Sequence, residues 1–491
     1  MAFRHGVYKS EVPTSLLSPV QGEAGLPVVV GTAPIFMADS SNVNVPVLCY
    51  SYSEAVQAMG FVHRDWDKWT LCEFIYSQFA LYGQSPVVLI NVFDPATHKE
   101  AVSPQSYTLT SGEANLGADV IISTLIASSI SDRTSDDCII YTKNTDYSIE
   151  YDDDGKAIFS AIDGGRLVNA VNVFVSFDRA RPDMVTASDI VGGINAQSGQ
   201  VKGLELVNKV FPKFRLIPGI IAAPKWSENS TVAAVMAAKA DSINGLFTAI
   251  SVVDIPSDSS GAKKYNAVPE WKNNHNFMSS RQIACWPKVK LGDDVFHLST
   301  QLIGLMNQTD SNHDDIPYKS PSNELLQIDG CVNASGDEIN LGLDEAVYLN
   351  SQGILTALNF IGGWKAWGDW TAIYPASTDP KDSQIVARRM FDFIGNTFIT
   401  TFWQQVDEPL TPRFIKTIIN SFNVYLNGMT AREQLLGGRI EFLEDENPTT
   451  DIMAGIVKFH VYMTPAPAAA VIEGIFEYDT SYFSTLINAI S

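Results

Sequence analysis

Two short groups of side chains have the residue types that catalysis or metal binding requires. Ser260 and Lys263 show the S-x-x-K spacing in which a lysine can activate a serine nucleophile, and they lie in the polar stretch PSDSSGAKKY. His313 stands next to Asp314 and Asp315 in SNHDD, and imidazole and carboxylate groups are common metal ligands. Both stretches are polar, and the 7 histidines of the chain are dispersed. We therefore predict a solvated loop at each place.

An acidic triplet, Asp152 to Asp154 before Gly155, has the composition of a calcium-binding loop. In the register that starts at Glu150, however, Ala161 occupies the position where a bidentate glutamate must close the loop. The triplet therefore predicts a hairpin turn.

Three tryptophans are spaced three residues apart in GGWKAWGDW, namely Trp364, Trp367 and Trp370. Flat aromatic rings can stack on sugars or bases. Residues three apart also share one face of a helix, so we predict that these rings pack in the core or in an interface. A carbohydrate-binding surface protein stays open as an alternative, although no pair of carboxylates beside the rings supports a glycosidase.

The longer catalytic motifs are absent. The sequence contains no G-x-x-x-x-G-K-[ST], no G-x-G-x-x-G after a strand, no H-E-x-x-H and no G-x-S-x-G. We therefore predict no catalytic residue, no metal, no cofactor and no enzymatic activity. An enzyme with an α/β core stays open as a second alternative, and it would show a cleft with a perturbed titrating group.

Composition restricts the class of protein further. The chain has 491 residues, of which 45% are hydrophobic and 18% charged, and a net charge of −22 that would repel nucleic acid. Its 5 cysteines are an odd number without C-x-x-C spacing, which predicts buried thiols in a reducing compartment. The first residues lack an apolar signal-peptide region, and no apolar run is long enough to cross a membrane. We expect neither export by a signal peptide nor insertion into a membrane.

The secondary structure predicted along the chain changes from mixed helices and strands to short strands and back again. Val28 to Gly31 reads as a buried strand, and helical and strand patterns follow it as in a layered α/β core. From about His98 the sequence consists of short β-rich runs with acidic loops. The alternation of helical and strand patterns resumes after residue 189. The pattern predicts an α/β fold: a discontinuous layered core with an inserted β-rich domain and extended arms. The predicted segments are an N-terminal arm (1–20), the first part of the core (21–97), the insert (98–189), the second part of the core (190–464) and a C-terminal arm (465–491).

The last third of the chain is the most regular. Thr411 is a helix cap followed by Pro412, and an apolar stripe runs from there to Gly428, where we expect the helix to end. Val457, Phe459, Val461 and Met463 alternate with polar or aromatic residues, which predicts a half-buried strand.

A detached strand follows close to the end of the chain. Ile472 and Phe476 alternate with Glu473 and Glu477, and Pro465 with Pro467 forms a stiff spacer that discourages the chain from folding back.

Several segments, taken in order, resemble the contractile tail sheath proteins of long-tailed bacteriophages. They are FRHGVYKSEVPT with VVVGTAP, SPSNELLQIDG, LNSQGILTALNFIGGWKAWGDWTA, ARRMFDFIGNTF, the helix from Thr411, GGRIEF and AGIVKFHVYMTPAPAAAVIEGIFEYD. R-type bacteriocins have a similar subunit. The resemblance covers the N-terminal arm and the chain from about Leu204 to its end, whereas the insert corresponds only in position.

The resemblance implies that both arms are donated to neighbouring subunits, where each adds a strand to the recipient's C-terminal sheet. The donor residues would be Val7, Tyr8, Glu11 and Val12 in one arm and Ile472, Ile475, Phe476 and Tyr478 in the other. The acceptor strand would hold Val457, Phe459, Val461 and Met463. A last strand that closes the sheet of its own chain stays open as the alternative.

The resemblance also implies a mechanical function. Subunits would form hexameric rings stacked in a helical lattice around a tail tube, held extended until a baseplate triggers contraction. The partners would be other copies of the chain, the tube protein, and baseplate and tail terminator proteins, without direct contact to nucleic acid. The place would be the virion tail, assembled in the host cytoplasm, and the sheath of an R-type bacteriocin or another injection machine is the alternative. Arg388, Arg389, Arg413 and Lys416 are candidates for contact with the tube.

Overall fold

The computed structural model describes residues 25–483. The part before the insert contains β1 (Pro27–Gly31), β2 (Val47–Cys49), α1 (Tyr52–Met59), α2 (Thr70–Ile75, continued as a π-helix over Tyr76–Leu81) and β3 (Val87–Asn91). The insert contains β4 (Lys99–Thr108), β5 (Glu113–Ala118), β6 (Val120–Ser128), β7 (Tyr147–Tyr151), β8 (Lys156–Ala161) and β9 (Asn172–Ala180).

The second part of the core begins after the insert. Its elements up to the last strand of the main sheet are α3 (Ala187–Val191), β10 (Gly193–Ile194), β11 (Val201–Lys202), α4 (Val210–Phe214), β12 (Ile220–Ala222), α5 (Ser230–Asp241), β13 (Ile250–Asp254), α6 (Val268–Asn274), β14 (Gln282–Cys285), β15 (Lys288–Leu291), β16 (Asp294–Phe296), α7 (Leu298–Ser311), β17 (Gly330–Val332), α8 (Leu343–Asn350), β18 (Ile354–Asn359) and β19 (Trp364–Trp367). The chain continues with α9 (Pro380–Ser383), α10 (Ile385–Phe402), α11 (Pro412–Ala431), β20 (Leu435–Glu441), α12 (Thr449–Met453) and β21 (His460–Pro465).

The core is built on an eight-stranded sheet in the order β19-β18-β14-β13-β12-β1-β3-β2. Its six central strands run parallel, and the two edge strands β2 and β19 run antiparallel to their neighbours. β1, β3 and β13 are buried along their whole length, which is why their sequences are continuous apolar runs and do not alternate. The α/β fold class predicted from the sequence is confirmed.

The insert is a small sandwich of two antiparallel sheets, β4-β9-β6 and β5-β8-β7. Buried side chains from both sheets, such as Phe159, Val173 and Val175, give it an apolar core separate from that of the main sheet. The strands on either side of the insert, β3 and β12, both pair with β1. The main sheet is therefore completed only when the chain returns from the insert.

One turn of the insert docks on the core. Tyr151 lies edge-on to Phe36 with ring centroids 6.0 Å apart, and Arg64 Nε donates to the Asp154 carbonyl oxygen at 2.7 Å. Gly155 has φ +72°, and a Cβ at this residue would lie 2.4 Å from Val62 Cγ1, so only glycine fits. The prediction of a hairpin turn in the acidic triplet is confirmed, because it joins β7 to β8.

All 5 cysteines are free, and Cys49, Cys72, Cys285 and Cys331 are buried. Burial raises the pKa of the Cys72 thiol to about 12, so it stays protonated and unreactive. The prediction of buried thiols is confirmed for these four, whereas Cys138 is half-buried. No helix within residues 25–483 is long and apolar enough to cross a membrane.

The carboxyl group of Asp369, between β19 and α10, predicts a pH-dependent stability. It accepts a hydrogen bond from Ser320 Oγ, and burial raises its pKa to about 7. Since the folded protein binds this proton more tightly than the unfolded chain does, the stabilisation is complete at low pH and is lost as the pH rises to about 7. We expect the melting temperature to fall between about pH 4 and pH 7, and Asp369→Asn to remove part of that fall.

Thermal unfolding followed by circular dichroism across this pH range measures the effect. Asp153→Asn is the matched control, because Asp153 is exposed. Identical pH profiles for the Asp369→Asn variant and the unmodified protein would contradict the assignment.

Candidate inter-subunit surface

Two helices and a two-stranded sheet form a unit at the end of the described chain, which we call the C-terminal unit (α10, α11, β20 and β21). α11 begins as predicted, because Thr411 Oγ1 accepts a hydrogen bond from the Phe414 N–H at 3.1 Å and Pro412 occupies the first turn. The helix does not stop at Gly428 but continues to Ala431. The apolar core of this unit contains Ile316, Val386, Met390, Phe393, Ile394, Phe402, Ile418, Phe422, Leu426, Met429, Leu435 and Ile440.

β21 pairs antiparallel with β20, with Val461 opposite Ile440 and Met463 opposite Gly438. Phe459, Val461 and Met463 pack against the apolar core of the C-terminal unit. The strand covers His460–Pro465. The predicted start at Val457 is therefore wrong.

The side chain of Asn447 explains the later start of β21. It accepts a hydrogen bond from the Lys458 N–H at 2.7 Å and donates to the Lys458 carbonyl oxygen at 2.9 Å. The Lys458 backbone groups are therefore occupied by a loop residue, and Val457 and Phe459 lie before the paired strand.

The two outer edges of this small sheet differ. On β20, the Ile440 N–H donates to Asn423 Oδ1 at 3.0 Å, and Asn423 Nδ2 donates to the Ile440 carbonyl oxygen at 3.2 Å. Because Asn423 occupies both groups, Ile440 and Val461 form a non-hydrogen-bonded pair, and the backbone groups of Val461 and Met463 point away from β20. Residues 25–483 supply no hydrogen-bond partner for those groups.

After β21 the chain exposes a run of large apolar side chains. Of the predicted C-terminal arm (465–491), the structure describes the part up to residue 483; Pro465 belongs to β21, and residues 466–479 form neither helix nor strand. Val471, Ile472, Ile475, Phe476 and Tyr478 are 84%, 90%, 90%, 99% and 77% exposed. Contiguous apolar surface of this kind marks an interaction site in a soluble protein. The alternative in which this segment closes the sheet of its own chain is not what the described residues form.

The remaining predicted interface residues fall into three groups. The donor residues Val7, Tyr8, Glu11 and Val12 lie outside the described residues. Arg413 and Lys416 are exposed on α11. Arg388 and Arg389 are committed to partners within the chain.

Arg389 is 4% exposed and forms a bidentate ion pair with Asp310 of α7, which is 4% exposed as well. Arg388 is 11% exposed and donates to Asp382 and to Asp392. The prediction that these two arginines face a tube is therefore wrong, since their guanidinium groups are buried against carboxylates.

α10 is tied to the core through this buried charge network. Arg281, just before β14, donates to Asp392, and Thr248 Oγ1 donates to the same carboxylate at 2.9 Å. Burial raises the pKa of Asp392, although Arg388 and Arg281 favour its charged form. Only the Arg388–Asp392 pair left a signal in the sequence, the i,i+4 spacing on a helix. The partners of Arg389 and Arg281 are 79 and 111 residues away along the chain, so no local pattern could show them.

The residues considered for enzymatic chemistry do not converge. Ser260 Oγ donates to Asp258 at 2.6 Å in an exposed loop, and His313 Nδ1 lies 2.6 Å from the Thr309 carbonyl oxygen at the end of α7. No group of three or more histidine, cysteine or acidic residues within 25–483 has the geometry of a metal site.

One buried cluster of titratable residues, missed by the sequence analysis, lies at the carboxyl end of β13. His297 Nδ1 is 2.8 Å from Glu73, and Ser299 Oγ donates to Asp254. Burial opposes the charge of His297, but the Glu73 and Asp254 carboxylates raise its pKa overall. His297 and Glu73 are only 2% and 1% exposed, so the pair joins α2 to the start of α7 and is not open to a substrate.

The prediction that the three tryptophans lie on one face of a helix is wrong. Trp364 and Trp367 lie on β19, where residues three apart point to opposite faces, and Trp370 stacks on Tyr374 with centroids 4.4 Å apart. This arrangement offers no common platform for a sugar.

The sequence is similar to that of a known phage protein over nearly its whole length. No family model matches the sequence. The tail sheath protein of Burkholderia phage BcepMu is 26% identical over 499 residues, which cover 99% of this chain and 98% of that protein.

Solved structures agree in fold. The sheath of the extracellular contractile injection system PVC in its contracted state matches with a TM-score of 0.59 at 12% identity, covering 98% of this chain and 99% of that one. The contracted helical sheath of the anti-feeding prophage matches with a TM-score of 0.58 at 13% identity, covering 98% and 100%. The predicted resemblance to contractile tail sheath proteins is confirmed.

The buried Arg389–Asp310 pair generates a stability prediction. Arg389→Met leaves Asp310 buried without its partner, and we expect the free energy of unfolding to fall by about 3–5 kcal/mol. The double variant Arg389→Met/Asp310→Leu should recover most of this loss, because neither side chain is then charged. Urea denaturation of the free subunit measures both.

Arg413→Met is the control for the loss of an arginine, since this side chain is exposed, and it should change the free energy of unfolding by less than about 0.5 kcal/mol. Equal effects of the Arg389→Met and Arg413→Met substitutions would show that the buried pair does not hold α10 to α7.

Proposed function

We propose that this protein is the structural subunit of a contractile tail sheath, the class of its full-length relative, and that it polymerises helically around a tail tube. The observation that carries the proposal is the exposure of the C-terminal arm. Its large apolar side chains between Val471 and Tyr478 are 77% to 99% exposed. In a monomeric protein such a segment would promote aggregation, whereas in a polymer it can link neighbouring subunits.

The connection proposed is strand addition. Each arm adds a strand to the C-terminal sheet of a neighbouring copy, with Ile472, Ile475, Phe476 and Tyr478 as donors and the strand of Val461 and Met463, flanked by Val457 and Phe459, as acceptor. Val7, Tyr8, Glu11 and Val12 would donate the second strand. Main-chain hydrogen bonds then give affinity and the buried apolar side chains give register.

The energetics of one added strand fit an assembly device. Each new backbone hydrogen bond contributes about 0.5–1.5 kcal/mol and each buried apolar side chain about 1.5–3 kcal/mol, against an ordering cost of about 1–2 kcal/mol for each residue. A single link is therefore weak. Repeated through a lattice, many weak links become permanent through avidity, while each flexible arm lets the subunits rotate relative to one another.

Contraction is then a change of packing between rigid subunits. We propose that the cores have a poorer interface in the extended lattice and a richer one in the contracted lattice, so that the difference drives a tube through the host envelope. No nucleotide is required for such a change. The buried charge network that binds α10 to the core supports this, because it lets the C-terminal unit and the core move together.

The proposed partners are other copies of the chain in hexameric rings, a tail tube protein, and baseplate and tail terminator proteins. The proposed place is a virion tail assembled in the host cytoplasm, and the sheath of an R-type bacteriocin would use the same subunit in the same way. The insert, which has its own core, is proposed as an outer domain.

The first prediction of this proposal concerns the arm. The full chain should form tubes or sheath-like polymers in electron micrographs, and a version that ends at Thr464 should remain mostly monomeric. Phe476→Asp should act like the truncation, because a carboxylate cannot enter the apolar row of an added strand. It should leave the free energy of unfolding within about 0.5 kcal/mol, since Phe476 is 99% exposed.

Val171→Asp is the matched control: Val171 is 67% exposed, but it lies on the insert. This variant should polymerise like the unmodified chain. Polymers of equal length and number from the full chain and from the version ending at Thr464 would rule out the C-terminal arm as the connector.

A second prediction concerns the two exposed cations on α11. Exchanging both for acids, Arg413→Glu with Lys416→Glu, should weaken the attachment of the sheath to its tube, measured by co-sedimentation at increasing salt. Lys143→Glu, on an exposed loop of the insert, is the control of equal charge type. If the double variant and the control sediment alike with the tube at every salt concentration, these cations do not face it.

A further inference from the structure

We infer that the C-terminal unit accepts the arm of a second copy along the outer edge of β21 only, and that Asn423 keeps the outer edge of β20 closed to it. The inference deepens the proposed function and rests on it, since the incoming strand is the arm of a neighbouring subunit. It assigns one side chain, Asn423, the task of deciding on which side the sheet grows.

The outer edge of β21 is open and short. The backbone groups of Val461 and Met463 point away from β20 and find no partner within residues 25–483. Pro465 ends the edge on one side because it has no N–H group, and the Asn447 side chain ends it on the other by holding both backbone groups of Lys458. The first incoming strand therefore has one place to pair, and a strand from the other arm adds to the outer edge of that first strand.

The outer edge of β20 is closed by a side chain. The Asn423 amide group accepts the Ile440 N–H and donates to the Ile440 carbonyl oxygen, as the peptide group of a neighbouring strand would. Asn423 lies on α11, which also packs close to β20 at Gly438, where an added Cβ would lie 3.4 Å from Leu426. A strand approaching this edge would have to displace Asn423 before it could pair.

The occupant of the open edge is the segment Val471–Tyr478 of a second copy. In extended conformation Ile472, Phe476 and Tyr478 lie on one face with Gly474, and the other face is mixed, with Glu473 and Glu477 beside Val471 and Ile475. The apolar face can cover Val461 and Met463, which are only half-buried in the single chain.

Charge does not decide the pairing, because His460 on β21 already pairs with Glu446 and Arg439 on β20 already pairs with Glu441. The arm of the same chain is disfavoured in this place, because Pro465 and Pro467 stiffen the short connection and no glycine follows before Gly474.

The test is residue-level hydrogen exchange on the full chain, comparing assembled polymer with the monomeric Phe476→Asp variant. We expect the Val461 and Met463 amides to exchange about tenfold or more slowly in the polymer, and the Ile440 amide to be protected in both. Asn423→Ala, introduced into the Phe476→Asp variant, should remove the protection of Ile440. Unchanged exchange at Val461 and Met463 on assembly, or an Ile440 amide that Asn423→Ala leaves equally protected, would overturn the inference.

A pair of variants tests the edge by assembly. Val461→Pro removes the outward N–H but leaves the bonds of β20 with the flanking residues of β21. Val461→Ala keeps the N–H but also loses the packing of the valine side chain on the core of the C-terminal unit. We therefore expect similar melting temperatures for the two variants, with polymers from Val461→Ala and none from Val461→Pro. If the full chain forms polymers and Val461→Pro, still folded, forms them equally well, the edge assignment fails while the proposed function stands. If the full chain forms no polymer under any condition, the proposed function itself fails, and this inference with it.

Discussion

A β-sheet edge with unpaired backbone groups, on the same chain as an exposed apolar segment, is the constraint on which the rest of this structure depends. In an added strand, unpaired backbone donors and acceptors gain hydrogen-bond partners, and large apolar side chains leave water. Both changes lower the free energy. Here the open edge of β21 and the C-terminal arm are adjacent in sequence but not paired with each other. Another copy of the chain can therefore pair with the open edge and bury the exposed segment, which makes assembly a property of the subunit itself.

Two other edges of the described sheets are protected against pairing. The outer edge of β19 is covered by residues 323–326, whose backbone bonds to Trp364 and Ala366. Pro104 interrupts β4 at a bulge on the edge of the insert, where it removes a donor. The main sheet and the insert are thus protected against pairing at these edges, while the C-terminal unit keeps one open.

A rigid body is the second requirement of a subunit that transmits force. α10 supplies it, because one end packs on the core through Ile385 while Met390 and Phe393 pack in the C-terminal unit. The buried pairs of Arg389 with Asp310 and of Arg281 with Asp392 add strict geometry to that contact. A buried ion pair adds little net stability over apolar packing, but breaking it is costly, so it holds two elements in a single arrangement.

The sequence by itself determined the class of fold, the helix of Thr411 and Pro412, the apolar alternation around Val461 and the detached arm. Local periodicity in the sequence predicts these features, because the geometry of a single helix or strand sets that periodicity. Tertiary structure alone decided that Arg388 and Arg389 are buried, that Trp364 and Trp367 lie on a strand while Trp370 pairs with Gln384, and that Asn447 delays β21 to His460. It also decided which sheet edge stays open, through the contact of Asn423 with Ile440. Each of these depends on a partner far away along the chain, and a partner that only folding brings near leaves no periodic trace in the sequence.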